Sequence, residues 1–464
     1  MDEFDVVVIG AGPPGEVAAG RCADGGLSVA IVEERLVGGE CSFYGCIPSK
    51  TLIRPGDVVA AARRVPGAAE AITGSIDVPA AFAQRDYMTS SWDDAGQVPW
   101  LESEGIELVR GHGRLAGERL VEVASADGSG TRRIRARDAV IMAIGGSSAM
   151  PPIEGLADAA PWDNIDITST KELPRRLLVL GGGAIGVEMA QCFKRLGSDE
   201  VTVLEGGPRL LGREEPFAGA ELQEAFQAEG ITVVTGAKVS AVSREAPDRP
   251  VTATLEDGRM FEGDEILVAV GRRPRTADVG LGTVGLEELE GRSLEVDERL
   301  RVAGSEWLYA VGDVNGKALL THMGKYQGRI VGDVILGKDV VDVADAGKVP
   351  RVTFTDPQVA AVGLTEEEAR QNGLDVRVVS YDTGEVSGSY TRGNDIHGTS
   401  QIVVDELRRV IVGATFTGPD VQELVHAATI AIVGEVTLDR LWHAVPSFPT
   451  VSEVWLRLLE AYGL

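Results

Sequence analysis

The chain has 464 residues, of which 44% are hydrophobic and 25% charged, and its net charge at pH 7 is −27. This length is typical of roughly three domains, and the strong negative charge argues against nucleic acid or an anionic membrane as a partner. No apolar run is long enough to span a membrane. No signal peptide precedes the first predicted strand, so we expect a cytoplasmic protein.

The N-terminal segment combines a strand over residues 4–9, a glycine turn, a helix and a second strand that ends in an acid. Gly10 permits the tight turn, Gly12 lets a pyrophosphate approach, and Gly15 lets the helix pack closely on the strand. Glu33 ends the second strand and can accept hydrogen bonds from an adenosine ribose. The spacing therefore predicts a dinucleotide-binding unit.

A cysteine pair, Cys41 and Cys46, follows this unit. Five residues of helix rise about 7.5 Å, whereas the Cα atoms of a disulfide are rarely more than about 6.8 Å apart, so a bridged pair cannot lie on one regular helix. Gly45 allows a bend, and Pro48 suits the first turn of a helix starting near Cys46, where a thiolate is stabilised. The pair predicts a redox enzyme that exchanges electrons with a flavin; the alternative is two buried free thiols in a helix.

Between this pair and the next glycine motif, residues 55–105 are predicted to be helical and residues 106–145 to form short strands. Cys22 and Cys192 lie in helical patterns and are predicted to be buried apolar side chains. From about residue 350 the pattern changes to strands with a helix beginning near Thr365. This change predicts a separate C-terminal domain.

The strand–turn–helix–strand pattern occurs a second time, beginning with a strand over residues 176–180. Gly181, Gly183 and Gly186 repeat the glycine spacing, and Glu205 repeats the terminal acid. Two complete units imply two bound dinucleotides. The alternative is that the second copy is a decayed structural repeat.

Taken together, these motifs resemble the flavoprotein disulfide reductases of the pyridine-nucleotide class, and dihydrolipoyl dehydrogenase in particular. The resemblance covers essentially the whole chain and includes further segments at 143–146, 270–274, 308–313, 354–357 and 362–366. It implies an α/β fold with two Rossmann-like dinucleotide-binding domains plus an α+β C-terminal dimerisation domain. The expected bounds are 1–148 for the FAD-binding domain, 149–271 for the NAD(P)-binding domain, 272–347 for the return to the central FAD domain, and 348–464 for dimerisation.

The resemblance also implies individual roles. Cys46 would be the thiolate that lies against the flavin, and Cys41 the outer thiol that meets the substrate. Lys50 would approach the flavin while paired with Glu188, and Asp313 would accept a hydrogen bond from the ribitol chain. The remaining glycines at the expected cofactor sites are Gly145 and Gly271.

Three of the implied roles have alternatives. Lys50 and Glu188 could form an ordinary surface pair, and Asp313 could be a turn residue. His322 occupies a family position near the flavin, where we expect a structural histidine rather than a catalytic one.

The C-terminal motif departs from the family pattern His-Pro-Thr-x-x-Glu, because Phe448 occupies the histidine position. A phenyl ring cannot transfer a proton. Glu453 is retained, but Thr450 and Glu453 also have the spacing of a helix capping box. His443, five residues upstream, is a candidate substitute. The acceptor is therefore predicted not to be an ordinary disulfide.

Several acceptors and functions remain open on this basis. A quinone or a metal ion makes different demands on the site, although mercuric reductases carry a C-terminal cysteine pair that this sequence lacks. The ketopropyl-coenzyme M carboxylases also have Phe here, but with a histidine where this chain has Glu453. A flavin redox sensor or a subunit of a complex is the non-enzymatic alternative.

The choice of nicotinamide nucleotide depends on Glu205, whose carboxylate would bind ribose hydroxyls and repel a 2′-phosphate. Arg209 and Arg213 follow closely, which leaves NADP(H) possible. We predict a homodimer that binds FAD and NAD(H), with NADP(H) as the alternative nucleotide, and reduces a small-molecule electron acceptor.

Overall fold

The computed structural model describes every residue except 126, 127, 129, 303, 345 and 346. The α-helices in the described residues are α1 Pro13–Asp24, α2 Gly39–Phe43, α3 Cys46–Arg63, α4 Val78–Met88, α5 Val98–Ser103, α6 Asn164–Ser169, α7 Ala184–Leu196, α8 Pro216–Ala228, α9 Thr321–Ile335, α10 Glu366–Gln371, α11 Ser387–Tyr390, α12 Val421–Val433, α13 Leu438–Leu441 and α14 Val454–Tyr462. Short 3₁₀ turns lie at Ala69–Ala71, Ser90–Trp92, Leu281–Val284, Glu287–Leu289, Gly312–Asn315, Thr383–Glu385 and Val451–Glu453.

The strands in the described residues are β1 Asp2–Ile9, β2 Val29–Glu33, β3 Glu107–Arg110, β4 His112–Leu115, β5 Leu120–Ala124, β6 Thr131–Met142, β7 Gly146–Ser148, β8 Arg176–Leu180, β9 Glu200–Glu205, β10 Thr232–Thr235, β11 Val239–Arg244, β12 Val251–Leu255, β13 Met260–Gly263, β14 Glu265–Val268, β15 Arg272–Pro274, β16 Leu308–Ala310, β17 Arg351–Thr353, β18 Gln358–Gly363, β19 Val376–Asp382, β20 Thr399–Asp405 and β21 Val410–Gly418.

The chain forms two compact units. The first contains Met1–Pro48, Arg85–Ala149 and Arg272–Ala346, and the second contains Ser49–Gln84, Met150–Gly271 and Gly347–Leu464. The four-part domain division expected from the sequence stays a prediction. No helix in the described part of the chain is both long enough and apolar enough to cross a membrane.

The first unit is built on a sheet of order β3-β2-β1-β6-β5-β4, with β16 also paired to β6. β1 lies parallel to both β2 and β6. Val6 and Val8 pack on one face with side chains of α1 and α9, and Val7 packs on the other face. Because the strand is buried on both faces, its sequence is a continuous apolar run.

The second unit contains a parallel sheet of order β10-β9-β8-β14, an antiparallel sheet β11-β12-β13 and an antiparallel sheet β17-β18-β21-β20-β19. Leu52 and Ile53 of α3 pack in one cluster with Val187 and Phe193 of α7. Thr365 caps α10 with its side chain. The predicted α/β fold with two Rossmann-like units and an α+β C-terminal domain is confirmed.

Candidate redox and dinucleotide sites

The two glycine turns have the same local geometry. A Cβ atom at Gly15 would lie 2.0 Å from the carbonyl oxygen of Gly10, and one at Gly186 would lie 2.0 Å from that of Gly181. Such a contact is far inside van der Waals distance, so each helix approaches the preceding turn more closely than any side chain allows. This close approach is what the sequence pattern expects of the third glycine in each motif.

In each of the two dinucleotide-binding motifs, the acid that ends the second strand accepts a hydrogen bond from the glycine turn of the same motif. Glu33 Oε2 accepts a hydrogen bond from the N–H of Ala11 at 2.8 Å, and its Oε1 accepts one from Arg35 at 2.7 Å. Glu205 accepts the N–H of Gly182 at 2.5 Å in the same way. Burial raises the pKa of Glu33. Sequence reasoning assigned these carboxylates to ribose alone and missed that each also holds its turn in place; their remaining lone pairs can still accept ribose hydroxyls.

The first turn has room for a dinucleotide. Gly12 is the N-cap of α1, and among the described residues the nearest atom to a Cβ at Gly12 would be 3.9 Å away. Helix N-termini attract phosphate because their first N–H groups lack intrahelical partners. Pro14 has no N–H to offer, and it instead packs against the turn that carries Asp313, since a Cβ at Gly312 would lie 2.9 Å from its ring. The residues present therefore fit the pyrophosphate of FAD.

The second turn is equally open. Gly183 is the N-cap of α7, and no described atom lies within 4 Å of a Cβ at this position beyond its chain neighbours. Gly145 and Gly271 have φ values of +67° and +143°, and a Cβ at either would meet no described neighbour within 4 Å. The turn at Gly183 fits a second dinucleotide, and the open space beside Gly145 and beside Gly271 allows a ligand to approach the backbone closely at each position.

The cysteine pair lies on two different helices, as its spacing predicts. Cys41 is in α2, and α3 begins at Cys46. No disulfide bond joins the pair. A hydrogen bond between the two cysteine side chains, together with burial, raises the pKa of the Cys41 thiol far above its usual range. Thr321 Oγ1 lies 3.6 Å from Cys46 Sγ.

The other two cysteines lie among buried side chains, as predicted. Burial raises the pKa of Cys22 to about 12 and also raises that of Cys192. Thiols held in this form are poor nucleophiles. Cys46 is exposed and Cys41 is half-buried, so these two are the accessible thiols of the chain.

Glu40, directly before Cys41, forms an ion-pair cluster that sequence reasoning missed. Its carboxylate accepts hydrogen bonds from Arg272 at 2.5 Å and from Arg275 at 2.9 Å. Arg272 Nε also lies 3.3 Å from Asp313 Oδ2, and burial raises the pKa of Asp313. Arg272 thus connects the helix that holds Cys41 with the acid expected near the ribitol chain. The acid beside the first cysteine and the arginine-rich segment were visible in the sequence, but their pairing was not.

Lys50 and Glu188 meet in the second unit. Lys50 Nζ lies 2.6 Å from Glu188 Oε2, and the other carboxylate oxygen accepts the N–H of Phe354 at 2.9 Å. Glu188 is only 5% exposed, so an ordinary surface pair does not describe this contact. Lys50 Nζ is also 4.8 Å from the centre of the Phe354 ring, which adds a cation–π contact.

Helix α7, which carries Glu188, also carries Arg195 about two turns later. Arg195 is the centre of a second charged cluster. Arg195 lies 2.6 Å from Glu229, 2.7 Å from Asp356 and 3.3 Å from Asp57. Burial raises the pKa of Asp57 to about 6. Three carboxylates thus share this partly buried guanidinium, and Asp57 is the one that burial brings into the physiological titration range.

The C-terminal motif differs from the expected capping box. Thr450 Oγ1 donates to the carbonyl oxygen of Ser447 at 2.7 Å and caps no helix. Glu453 instead accepts hydrogen bonds from the N–H of Ser387 at 3.3 Å and from Arg457 at 2.7 Å. The capping-box alternative for Glu453 does not hold, because these two donors, one of them distant in sequence, take the carboxylate. Phe448 is 74% exposed.

The histidines considered from the sequence are both exposed side chains. His322 lies in the first turn of α9, and His443 lies just after α13. The two arginines that follow Glu205 behave differently from each other. Arg209 donates to the carbonyl oxygens of Gly212 and Glu214, both at 3.0 Å, whereas Arg213 is exposed.

Comparisons with known proteins agree with this arrangement. The family model described as pyridine nucleotide-disulphide oxidoreductase matches residues 4–328, and the dimerisation-domain model of that family matches residues 349–458. The chain is 34% identical to a dihydrolipoyl dehydrogenase of Chlamydia muridarum, over 98% of this chain and 96% of that protein. It is 28% identical to a mercuric reductase of Lysinibacillus sphaericus, over 97% and 81%. Its fold is similar to the Cu(II) complex of the HOCl-induced flavoprotein disulfide reductase RclA from Escherichia coli, with a TM-score of 0.87, 26% identity and 99% of each chain covered.

Proposed function

This chain belongs to the pyridine nucleotide-disulphide oxidoreductase family, and we propose that it takes electrons from NADH and delivers them through Cys46 and Cys41 to an acceptor that is not an ordinary disulfide. The family consists of FAD-dependent NAD(P)H oxidoreductases, and bound FAD would supply hydride acceptance from the nicotinamide. The observation that carries the proposal is the contact between the Cys41 and Cys46 thiols at the start of α3. On oxidation the two thiols lose two electrons and two protons and form one S–S bond.

The proposed acceptor follows from residue 448. Reducing a disulfide requires a proton for the leaving sulfur, and Phe448 has none to give. Glu453 is already bound by Ser387 and Arg457, which leaves it poorly placed to take over. An acceptor that needs no such proton fits this site better. His443 stays a candidate substitute, which the acceptor screen below tests.

A metal ion is the second candidate acceptor. Two adjacent thiols are soft ligands that suit copper or mercury, and the similar proteins include a mercuric reductase and a reductase solved with Cu(II). Among the described residues, no cluster of three or more His, Cys, Asp or Glu side chains is arranged to hold a metal ion. The metal would therefore be a transient substrate of the thiol pair rather than a resident cofactor. A quinone is the other candidate acceptor: it takes up two electrons and two protons to become a hydroquinone, and the two protons are those that Cys41 and Cys46 release on oxidation, with no sulfur leaving group to protonate.

NADH is the proposed nucleotide. Glu205 lies at the end of β9, where its charge opposes a 2′-phosphate. Arg209 is engaged with two carbonyl oxygens of its own loop, and binding a phosphate would break those hydrogen bonds. NADPH remains the alternative because Arg213 is exposed.

The proposed assembly is a homodimer formed through the C-terminal domain. The family's dimerisation model matches this region. Apolar side chains exposed there are Ile430, Val433, Trp442, Val445 and Phe448. Burying these side chains against a second copy of the chain would remove apolar surface from water, which favours association.

The experiment that tests the proposal is steady-state NADH oxidation by the purified holoenzyme with lipoamide, small disulfides, quinones, Cu(II) and Hg(II) in parallel. We expect turnover with a quinone or a metal ion to exceed turnover with every disulfide. Faster turnover with lipoamide would contradict the proposed acceptor class. Absence of NADH oxidation with all acceptors would instead favour a redox sensor or a subunit of a complex.

A further inference from the structure

Three consecutive residues of the first unit have left-handed backbone. Ser90, Ser91 and Trp92 have φ values of 49°, 52° and 60°. Residues with a Cβ atom rarely adopt this conformation, and a run of three is rarer because each one adds to the strain. Such strain persists only where the surrounding contacts hold it, and it is concentrated at functional sites.

The turn at residues 90–92 places Trp92 against α2, the helix that contains Cys41. The indole Nε1 of Trp92 donates a hydrogen bond to the carbonyl oxygen of Phe43 at 3.0 Å. Phe43 ends α2, the helix that contains Cys41, and the last carbonyl groups of a helix lack intrahelical partners. The guanidinium of Arg85 lies 5.3 Å from the centre of the indole ring. Arg85 is fully buried, so the ring is held from behind by a fixed cation.

The same segment also contacts the chain before Cys41. Asp94 is buried, and its carboxylate accepts the N–H of Val37 at 2.6 Å and pairs with Arg110 at 2.7 Å. Val37 lies two residues before α2. Residues 90–94 therefore hold the two ends of the helix that carries Cys41, and neither contact involves the cysteines themselves.

We infer that residues 90–94, which we call the bracket, position the Cys41 thiol for closure onto Cys46, with Trp92 as the principal positioning residue. The inference rests on the proposed redox role of the pair. A helix fixed at both ends keeps one thiol near the other, which raises the effective concentration for S–S formation. Loss of the indole N–H leaves the Phe43 carbonyl unpaired and lets the end of α2 move.

The test measures disulfide closure directly in the holoenzyme equilibrated with glutathione buffers. Oxidised glutathione takes two electrons and two protons from Cys41 and Cys46 and becomes two glutathione molecules. The fraction of protein with a Cys41–Cys46 disulfide is measured by alkylating the remaining thiols and determining the peptide masses by mass spectrometry. The peptide masses distinguish this pair from Cys22 and Cys192. Trp92→Phe keeps the ring and loses the donor, so the equilibrium constant for closure should fall about three- to tenfold, the range of one hydrogen bond.

The matched control is Trp100→Phe, which removes an indole that is 39% exposed and lies outside the bracket. It should leave the closure constant unchanged. A native protein that never forms the disulfide would contradict the proposed function. A native protein that forms it, with Trp92→Phe and Trp100→Phe indistinguishable, would contradict the bracket alone.

A second pair of variants keeps the inference testable even if Trp92→Phe fails to fold. Ser91 is exposed, so substitutions there act through the backbone. Ser91→Gly accepts the left-handed conformation and should retain native closure, whereas the β-branched Ser91→Val disfavours it and should weaken closure as Trp92→Phe does. Equal closure constants for these two variants would overturn the inference.

Discussion

Lys50 Nζ lies 2.6 Å from Glu188 Oε2, and the second oxygen of Glu188 accepts the N–H of Phe354. The carboxylate is buried while Lys50 is 34% exposed. Both carboxylate oxygens are thus occupied, which fixes the direction in which Glu188 holds the ammonium group. This fixed direction is what allows a flexible lysine to act at a defined position.

Replacing Glu188 by Gln should slow flavin reduction by NADH. Glutamine can still accept the N–H of Phe354, but it loses the charge that orients Lys50. A misplacement of about 1 Å can cost about 10²-fold in rate, so we expect a drop of about tenfold or more in stopped-flow flavin reduction. Glu224→Gln, at an exposed position of α8, is the control. Equal rates for the two variants would exclude a role for the Glu188 charge.

The two glycine turns should respond separately to the same substitution. Ala at Gly15 or Gly186 places a Cβ 2.0 Å from a carbonyl oxygen, and overpacking of this kind typically costs about 1–3 kcal/mol. Gly15→Ala should yield protein with little FAD released on denaturation. Gly186→Ala should retain FAD and raise the KM for NADH. Gly74→Ala, where no described atom would contact the new Cβ, should change neither quantity.

The two cysteines should differ spectroscopically. After two-electron reduction of the holoenzyme we expect a long-wavelength absorbance band that arises from charge transfer from the Cys46 thiolate to the flavin. Cys46→Ser should abolish this absorbance, because it removes the thiolate at the start of α3. Cys41→Ser should show it without added reductant, since Cys46 can then no longer be held in a disulfide with residue 41. Persistence of the absorbance in Cys46→Ser would reverse the assignment.

Phe448 should limit disulfide turnover. General acid–base catalysis typically contributes about 10²- to 10⁴-fold, so turnover with lipoamide should be low by about that factor while flavin reduction by NADH stays fast. Phe448→His places an imidazole at the family position and should raise lipoamide turnover. Native turnover of several hundred per second, in the upper part of the usual range of about 1–10³ s⁻¹, would show that another group such as His443 supplies the proton.

Asp57 should make the native protein less stable as the pH rises. Burial raises its pKa to about 6 from the ordinary aspartate value of 3.8, so between these values the folded state binds more protons than the unfolded state. The free energy of unfolding therefore falls as the pH rises through this window, and the loss is complete above it. Asp57→Asn has no such proton and should melt above the native protein at pH 7 to 8.

The control for this pH effect is Asp248→Asn, which alters an exposed aspartate. Its melting temperature should follow that of the native protein at every pH from 4.5 to 8. If Asp57→Asn also follows the native curve, the Asp57 carboxyl does not titrate in this window.

The sequence by itself determined the elements whose physical cause is local. Both dinucleotide units could be predicted because strand, turn, helix and acid follow one another within about thirty residues. The start of α3 at Cys46 could be predicted for the same reason, since Pro48 and the cysteine spacing constrain only neighbouring residues. The change of pattern near residue 350 predicted a separate C-terminal domain, and the family resemblance supplied its dimerisation role and the expected roles of individual residues.

The tertiary structure decided which polar groups meet. Glu40 pairs with Arg272 and Arg275, which are 232 and 235 residues away in sequence, and no spacing rule connects them. The capping box that the spacing of Thr450 and Glu453 allowed does not form, because the backbone N–H of Ser387, 66 residues distant, binds the Glu453 carboxylate instead. A local sequence pattern predicts only hydrogen-bond and ion-pair partners that are close along the chain. Burial favours whichever partner satisfies the charge once the fold has brought distant segments together.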